Sequence, residues 1–365
     1  MNRIGIDARL AAYTGGGIAQ YTLNLVRALA RLDRDNRYTI FHSHSDADCH
    51  TPPEAGNFRR RNLRSKPHHP WERWTLAAEL LPHRLDLVHS PDFIPPAAGA
   101  RHRVVTVHDI YFWQRPDTLT PDSLRYYRDQ IAWSVQSADH ILVVSRRTRD
   151  DLTEHLGVPS DRMTVTHLAA NPLYAEEPDP EAVRATLERH RLAPGFILFV
   201  GTWAPNKNLA TLVRACRRLP DVPLVLVGRK GWYYEDVLAA LQSHPDVRHL
   251  ERVGNRELAN LYRAAGVLAM PSLYEGFGLP VLEAMASGCP VVCSRAGSLP
   301  EVAEEAAILV EPCDDQAWST SLARVLTDPE VHRELRARGL ARASRFSWTL
   351  TAERTLAVYQ RVLQG

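Results

Sequence analysis

Two acids eight positions apart, Glu275 and Glu283, enclose the loop Gly276-Phe277-Gly278-Leu279-Pro280. The loop follows an apolar run at 267–270 and leads into a helical pattern that reaches Gly288. Glycines at 276 and 278 let backbone amides come close to a ligand, because no Cβ stands in the way. Pro280 suits the first turn of a helix, where its missing N–H costs nothing, and Gly288 suits the stop. The amides at such a helix N-terminus are a ready site for an anion, here a diphosphate. One carboxylate could then accept hydrogen bonds from sugar hydroxyls and the other from a ribose diol. The combination of loop, proline and acid pair argues against a plain turn with two surface acids.

Four further stretches join a strand pattern to a helix pattern. Gly15-Gly16-Gly17, between the first strand and the first helix, could cover a diphosphate or admit an acceptor. His108, in Val107-His108-Asp109, stands at the carboxyl end of a strand, the edge where ligands of open α/β sheets gather. It could donate a hydrogen bond to a sugar hydroxyl while Asp109 holds its ring. In Gly201-Thr202-Trp203-Ala204-Pro205-Asn206-Lys207-Asn208, Lys207 could set an ammonium against departing phosphates. Gly228-Arg229-Lys230-Gly231-Trp232 offers Arg229 and Lys230 to the same charge. Taken alone, each also fits a flexible turn, a structural histidine or a surface cation.

The elements that must position these groups alternate in type. Strand patterns fall at 4–6, 38–41, 85–88, 104–107 and 141–144, then at 196–200, 224–227, 267–270 and 291–293, with helical spacing between them. Ile18, Tyr21, Leu25, Val26 and Leu29 are one such helical set. Strands alternating with helices imply parallel sheets with crossover helices. A stretch rich in proline and acid at 171–180 breaks the periodicity. The expectation is an α/β protein of two Rossmann-like domains, 1–170 and 171–345, with 346–365 as a C-terminal helix packing back on the first.

Composition narrows the class. The chain has 365 residues, 45% hydrophobic and 24% charged, which suits a globular protein of two domains. No apolar run approaches the ~18 residues of a membrane span, and residues 1–3 lead into a strand rather than a leader. Five cysteines (Cys49, Cys216, Cys289, Cys293, Cys313) fit no zinc spacing and read as buried free thiols of a reducing cytoplasm. A net charge of +2 does not suggest nucleic-acid binding. Neither Asp33 with Asp35 nor Asp46 with Asp48 makes a convincing Mg2+ site, so no metal is expected. Residues 59–74 stand apart: Arg59, Arg60, Arg61, Arg64, Lys66 and Arg73 face a single acid, Glu72, with Trp71 and Trp74 at the end. They read as a patch for an anionic membrane surface or a lipid-phosphate acceptor, or as a solvated loop and helix face. The tryptophans are expected in the core.

Together these pieces resemble the retaining glycosyltransferases of the GT-B fold, family 4, over nearly the whole chain. The most specific part is the Glu275–Glu283 pair with its loop. The resemblance implies that Glu275 contacts the donor sugar and Glu283 the ribose, and that the amides of Phe277, Gly278 and Leu279 bind the sugar. It matches Gly16, Gly17 and His108 to the family's glycine loop and histidine, and Lys207 to its phosphate-binding lysine. Where much of the family has an arginine, this chain has Thr202 and Asn206, so Arg229 becomes the candidate for the second cation. The Gly-Thr and Lys-Asn spelling, with Gly231-Trp232 downstream, resembles the branch with bacterial mannosyltransferases of polysaccharide assembly.

The resemblance thus implies a metal-independent, retaining transfer of a hexose, mannose favoured, from a nucleotide-diphosphate sugar to a glycan, glycolipid or lipid-linked acceptor. The site would be an interdomain cleft that closes over the donor, with His108, Lys207 and Glu275 catalytic. No cofactor is implied beyond the donor substrate, a GDP-sugar in preference. The location implied is cytoplasmic, at the inner face of the membrane if residues 59–74 meet lipid. A non-catalytic nucleotide-sugar-binding partner in polysaccharide assembly and a nucleotide-sugar epimerase are the competing classes.

Overall fold

The computed structural model describes residues 1–13, 16–46, 51–52, 55–231, 233–242 and 246–365. Gly15, Asp48, Cys49 and Trp232, named above, lie outside these. The chain forms two compact units, residues 1–168 with 347–365 and residues 169–346.

Unit 1 holds seven parallel strands: β1 (Arg3–Asp7), β2 (Arg37–Ser43), β3 (Phe58–Leu63), β4 (Leu85–Ser90), β5 (Ala100–Val107), β6 (His140–Val143) and β7 (Met163–Val165). Their spatial order is β3-β2-β1-β4-β5-β6-β7. Unit 2 holds six: β8 (Ile197–Val200), β9 (Leu224–Val227), β10 (Val247–Leu250), β11 (Val267–Met270), β12 (Val291–Ser294) and β13 (Ile308–Val310), ordered β10-β9-β8-β11-β12-β13. Both sheets therefore follow the order 3-2-1-4-5-6 of a doubly wound fold. The inner strands of unit 2 are apolar and largely buried, as β9 and β11 show with every residue buried. That is what a sheet covered by helices on both faces requires.

The four strands absent from the sequence reading are β3, β7, β10 and β13, and these are the four edges of the two sheets. An edge strand has one neighbour and partial exposure, so it carries little apolar signal. β3 reads Phe-Arg-Arg-Arg-Asn-Leu with only its end residues buried. Arg59, Arg60 and Arg61 thus belong to a strand, not a loop, while Arg73 lies on helix Glu72–Leu80. Trp71 and Trp74 overturn their expectation more sharply: they are 65% and 61% exposed. Both sit where helix Glu72–Leu80 turns its outer face to solvent, while Leu76, Ala77 and Leu80 fill the buried face. Of the described cysteines, three are buried free thiols and Cys313 is exposed.

Helix Trp348–Gln364 belongs to unit 1. Its Thr351 hydroxyl donates to the His167 carbonyl at 2.6 Å. Trp348 meets the ring of Tyr21, on helix Gly17–Leu32, at 6.2 Å. Tyr359, fully buried, is hydrogen-bonded to His89 Nδ1 at 2.6 Å, and His89 Nε2 to Thr106 at 2.7 Å. Burial pushes the His89 ring down to about 3, so it is neutral and one of its nitrogens must accept. Tyr359→Phe leaves a buried polar atom without its partner, which should cost about 1–3 kcal/mol. An unchanged urea midpoint in that variant would show that the contact contributes nothing.

Candidate active site

In unit 2 the strand order reverses between β8 and β11. The crossovers diverge there, which opens a crevice at the carboxyl ends of those strands. The loop after β8 carries Lys207 and the loop after β11 carries Glu275. Their side chains meet, with Lys207 Nζ 2.6 Å from Glu275 Oε1. The Ser272 hydroxyl donates to the same oxygen at 2.6 Å. Among the described residues Glu275 Oε2 carries no hydrogen bond and remains for a ligand. The loops are also joined through main chain, Leu273 N–H donating to the Asn206 carbonyl at 2.7 Å.

Main-chain packing holds Glu275 in place. The Ser298 amide and hydroxyl both donate to its carbonyl, at 3.1 and 3.0 Å. Gly297, at φ +57°, lies so close that a Cβ would come within 2.6 Å of the Glu275 backbone. Gly278, at φ +94°, caps helix Leu279–Ala286. Its amide and that of Leu279 belong to the turn whose N–H groups lack intrahelical acceptors. Phe277 is buried, its ring edge-on to Phe346 at 6.0 Å.

Glu283 lies one turn into that helix and is half-buried. Tyr262 O–H donates to its Oε2 at 3.1 Å. Burial pushes the Glu283 carboxyl up to about 7, and the hydrogen bond from Tyr262 only partly offsets this. Sequence reading did not find Tyr262, Ser272 or Ser298. Hydroxyls of this kind carry no spacing signal until the fold brings them to the acids.

Arg229 is exposed at the end of β9, with its carbonyl accepting from the Trp203 amide at 2.9 Å. Gly228, at φ +135°, faces Gly201: a Cβ there would come within 2.1 Å of the Gly201 carbonyl oxygen. The two loops are thus packed backbone to backbone. Thr202, one of the positions without the family's arginine, is exposed. Lys230 Nζ lies 5.7 Å from the buried Trp203 ring.

Unit 1 has its own reversal, between β1 and β4. Gly16 is the N-cap of helix Gly17–Leu32, at φ −79°, and a Cβ there would meet nothing within 4 Å. Neither strain nor packing within the unit demands glycine at this position. His108 follows β5. Its Nε2 is 2.9 Å from the Pro91 carbonyl, and the Tyr21 ring meets it edge-on at 5.0 Å. Burial lowers the His108 pKa. A neutral ring donating from Nε2 leaves Nδ1 as an acceptor. This corrects the expected polarity: His108 has its N–H spent on Pro91 and can receive a hydrogen bond from a hydroxyl. The hold on the ring comes from Pro91 and Tyr21, while Asp109 Oδ1 accepts from the Tyr111 amide at 3.0 Å.

The carboxyl end of β1 carries a second charged group that the sequence did not reveal. Arg9, buried, reaches Asp7 and Glu72, each at 2.7 Å. The His68 amide donates to Glu72 at 2.6 Å, and His68 Nε2 lies 2.9 Å from Asp92. Burial, more than its charged neighbours, pushes Glu72 up to about 7.

A cavity of about 700 Å3 in unit 2, lined by Tyr174, Val183, Leu187, Arg263, Arg336 and Leu340 among others, contains none of the expected site residues. Among the described residues one group has metal-ligand spacing, Asp151, Glu154 and His155. Asp151 already pairs with Arg147 at 2.6 Å.

Both units resemble known proteins. Residues 15–172 match the model of Glycosyltransferase Family 4, and residues 188–342 that of Glycosyl transferases group 1. O-antigen chain mannosyltransferase B of Escherichia coli is 34% identical, covering 94% of this chain and 96% of its own. Sucrose-phosphate synthase of Thermosynechococcus elongatus superposes with a TM-score of 0.80 at 21% identity, covering all of both chains. HepE of Anabaena, solved with UDP-glucose, gives 0.79 at 17% identity, covering 99% of this chain and all of that one. The two units have the GT-B fold of these glycosyltransferases.

The raised Glu283 gives a test of the site's electrostatics. Its folded value, about 7, lies above its ordinary 4.5. The folded chain therefore holds this proton more tightly than the unfolded one. The stability it contributes is full below about 4.5 and declines as pH rises through the window to about 7. Glu283→Gln removes the titration, so wild type should lose stability relative to the variant between about pH 5 and about pH 8. Parallel urea curves for the two proteins across that range would contradict the assignment.

Proposed function

The chain belongs to glycosyltransferase family 4, and on that premise we propose that it moves mannose from a nucleoside-diphosphate sugar, GDP-mannose in preference, to a glycan or lipid-linked acceptor. The name of the relative that is alike end to end, an O-antigen chain mannosyltransferase, supports the sugar and the acceptor class. The observation that carries the chemistry is the Lys207–Glu275 contact at the β8/β11 reversal.

When the donor's glycosidic bond breaks, its electron pair goes to a phosphate oxygen, and the charge that builds there must be met by fixed groups. Lys207, the first-turn amides around Gly278 and Leu279, and Arg229 supply them in this reading, with no metal. Glu275 Oε2 accepts from a hydroxyl of the donor sugar, and Glu283 from the ribose. The acceptor hydroxyl attacks the anomeric carbon from the side the phosphate leaves. The departing phosphate oxygen takes its proton, so configuration is retained and no carboxylate nucleophile is needed. His108, neutral, accepts a hydrogen bond from a sugar hydroxyl at Nδ1 and orients the sugar without acting as the base. The acceptor belongs to the unit 1 edge that carries His108 and Gly16.

Purified protein incubated with a panel of nucleotide sugars in excess EDTA should release nucleoside diphosphate from GDP-mannose when an acceptor is present. A rearranged sugar formed without acceptor would point to an epimerase. Tight nucleotide binding without turnover on any donor would point to a non-catalytic partner. Lys207→Ala and Glu275→Gln should each lower kcat by about 100-fold or more while the melting temperature holds. Full activity in either folded variant removes that residue from the reaction. Gly16→Ala should leave stability unchanged and lower kcat/KM by about tenfold or more. Unaltered kinetics there would mean that no ligand approaches Gly16.

A further inference from the structure

Helix Glu72–Leu80 and the turn after it wear an inverted surface. The exposed residues from 71 to 82 are Trp71, Trp74, Thr75, Ala78, Leu81 and Pro82. They recur at the three- and four-residue spacing of one helical stripe, and none is charged. Trp71, Trp74 and Leu81 are 65%, 61% and 59% exposed. Thr75 donates its hydroxyl to the Trp71 carbonyl at 3.1 Å. A helix on a protein surface ordinarily turns charged residues outward, and a contiguous apolar stripe marks a contact surface.

The exposed charges that flank the stripe along the chain are cationic. Between residues 59 and 84 the exposed ionised side chains are Arg59, Arg61, Arg64, Lys66 and Arg84. Neither acid of that stretch is among the exposed residues, Glu79 being half-buried. Glu72 is buried against Arg9. Glu79 accepts from the Arg64 amide at 2.9 Å and from the Ser65 hydroxyl at 2.9 Å. These bonds tie the basic segment to the flank of the helix. Charged residues alone would serve to guard the β3 edge from pairing, but that duty does not call for two outward tryptophans.

We propose that this face docks on an anionic lipid bilayer, with Trp71, Trp74 and Leu81 at the headgroup level and the cations against lipid phosphates. Tryptophan prefers the boundary between headgroups and acyl chains. An apolar stripe combined with cations binds anionic lipid through buried area and attraction together. The five exposed cations complement lipid phosphate, and they outnumber Asp129, the exposed acid of helix Pro121–Ser137 whose charge reaches Arg73. A second copy of the same face would meet it with like charge. No helix among the described residues is long and apolar enough to cross a membrane, so the contact lies on the surface. The docking face is independent of the transfer reading. Its use rests on that reading: Glu72, on the same helix, reaches Arg9 at the carboxyl end of β1. A bilayer on the stripe would present a lipid-linked acceptor close to that edge.

The test is flotation of the full chain with vesicles of phosphatidylcholine, with and without phosphatidylglycerol. Binding should require phosphatidylglycerol and fall as salt rises, because screening weakens exposed charge attraction. Trp71→Ser with Trp74→Ser should lower partitioning by roughly tenfold or more. Arg59→Gln with Arg61→Gln should lower it by roughly tenfold and keeps the test open if the tryptophan variant does not fold. The proposal is overturned by wild type that ignores anionic vesicles at low salt, or by folded variants that bind as wild type does. It is equally overturned by a dimer that the tryptophan variant dissolves while vesicles go unbound. Transfer to a water-soluble acceptor, measured alongside, keeps the two readings apart: its loss with vesicle binding intact sinks the transfer reading, and the converse sinks the docking face.

Discussion

Lys207 and Glu275 are rooted on neighbouring parallel strands whose crossovers leave in opposite directions, and their side chains close to 2.6 Å. Adjacent strands lie about 4.8 Å apart, so the ends of β8 and β11 bring a lysine and a glutamate within reach with no long excursion. The pair also answers a charge requirement. A half-buried ammonium aimed at an anion site needs a counter-charge while the anion is away. Glu275 provides it through Oε1, shared with Ser272. In the proposed reaction a phosphate arriving at Lys207 would compete with Glu275 for the ammonium.

The rest of unit 2 fixes that contact through backbone. Gly297 closes on Glu275 and Gly228 on Gly201 at distances that leave no room for a Cβ, and Ser298 hydrogen-bonds the Glu275 carbonyl. Asn208, at φ +51°, holds the left-handed conformation without being glycine. Its side-chain amide donates to the carbonyls of Pro271 at 3.1 Å and Pro312 at 2.7 Å, which ties the lysine loop to the glutamate loop. Unit 1 uses side chains to the same end. Tyr359, His89, Thr106 and Tyr21 form a buried chain of contacts from the C-terminal helix to the face of His108.

The inner strands, the unit boundary near 170 and the loops with chemical residues were legible because each has a local signature: an apolar run, a proline-rich break, a glycine beside a polar group. What escaped depends on neighbours that sequence order hides. The four missed strands are the sheet edges, where exposure dilutes the apolar signal, as the three arginines of β3 show. Trp71 and Trp74 were assigned to the core by type, yet the buried face of their helix is filled by Leu76, Ala77 and Leu80. The donor direction of His108 could not be read before Pro91, seventeen residues earlier, was seen to take its Nε2–H. Tyr262 and the Arg9–Glu72 pair join residues 21 and 63 positions apart.

The proposal that matters most is that Lys207 binds the donor diphosphate in competition with Glu275. Calorimetric titration of GDP into wild type, Lys207→Ala and Glu275→Gln tests it most directly. The account predicts that Lys207→Ala weakens GDP by about tenfold or more, whereas Glu275→Gln binds GDP as tightly as wild type or more tightly, having lost the competing carboxylate. Equal weakening in both variants would mean that the pair only braces the two loops, and would contradict the account.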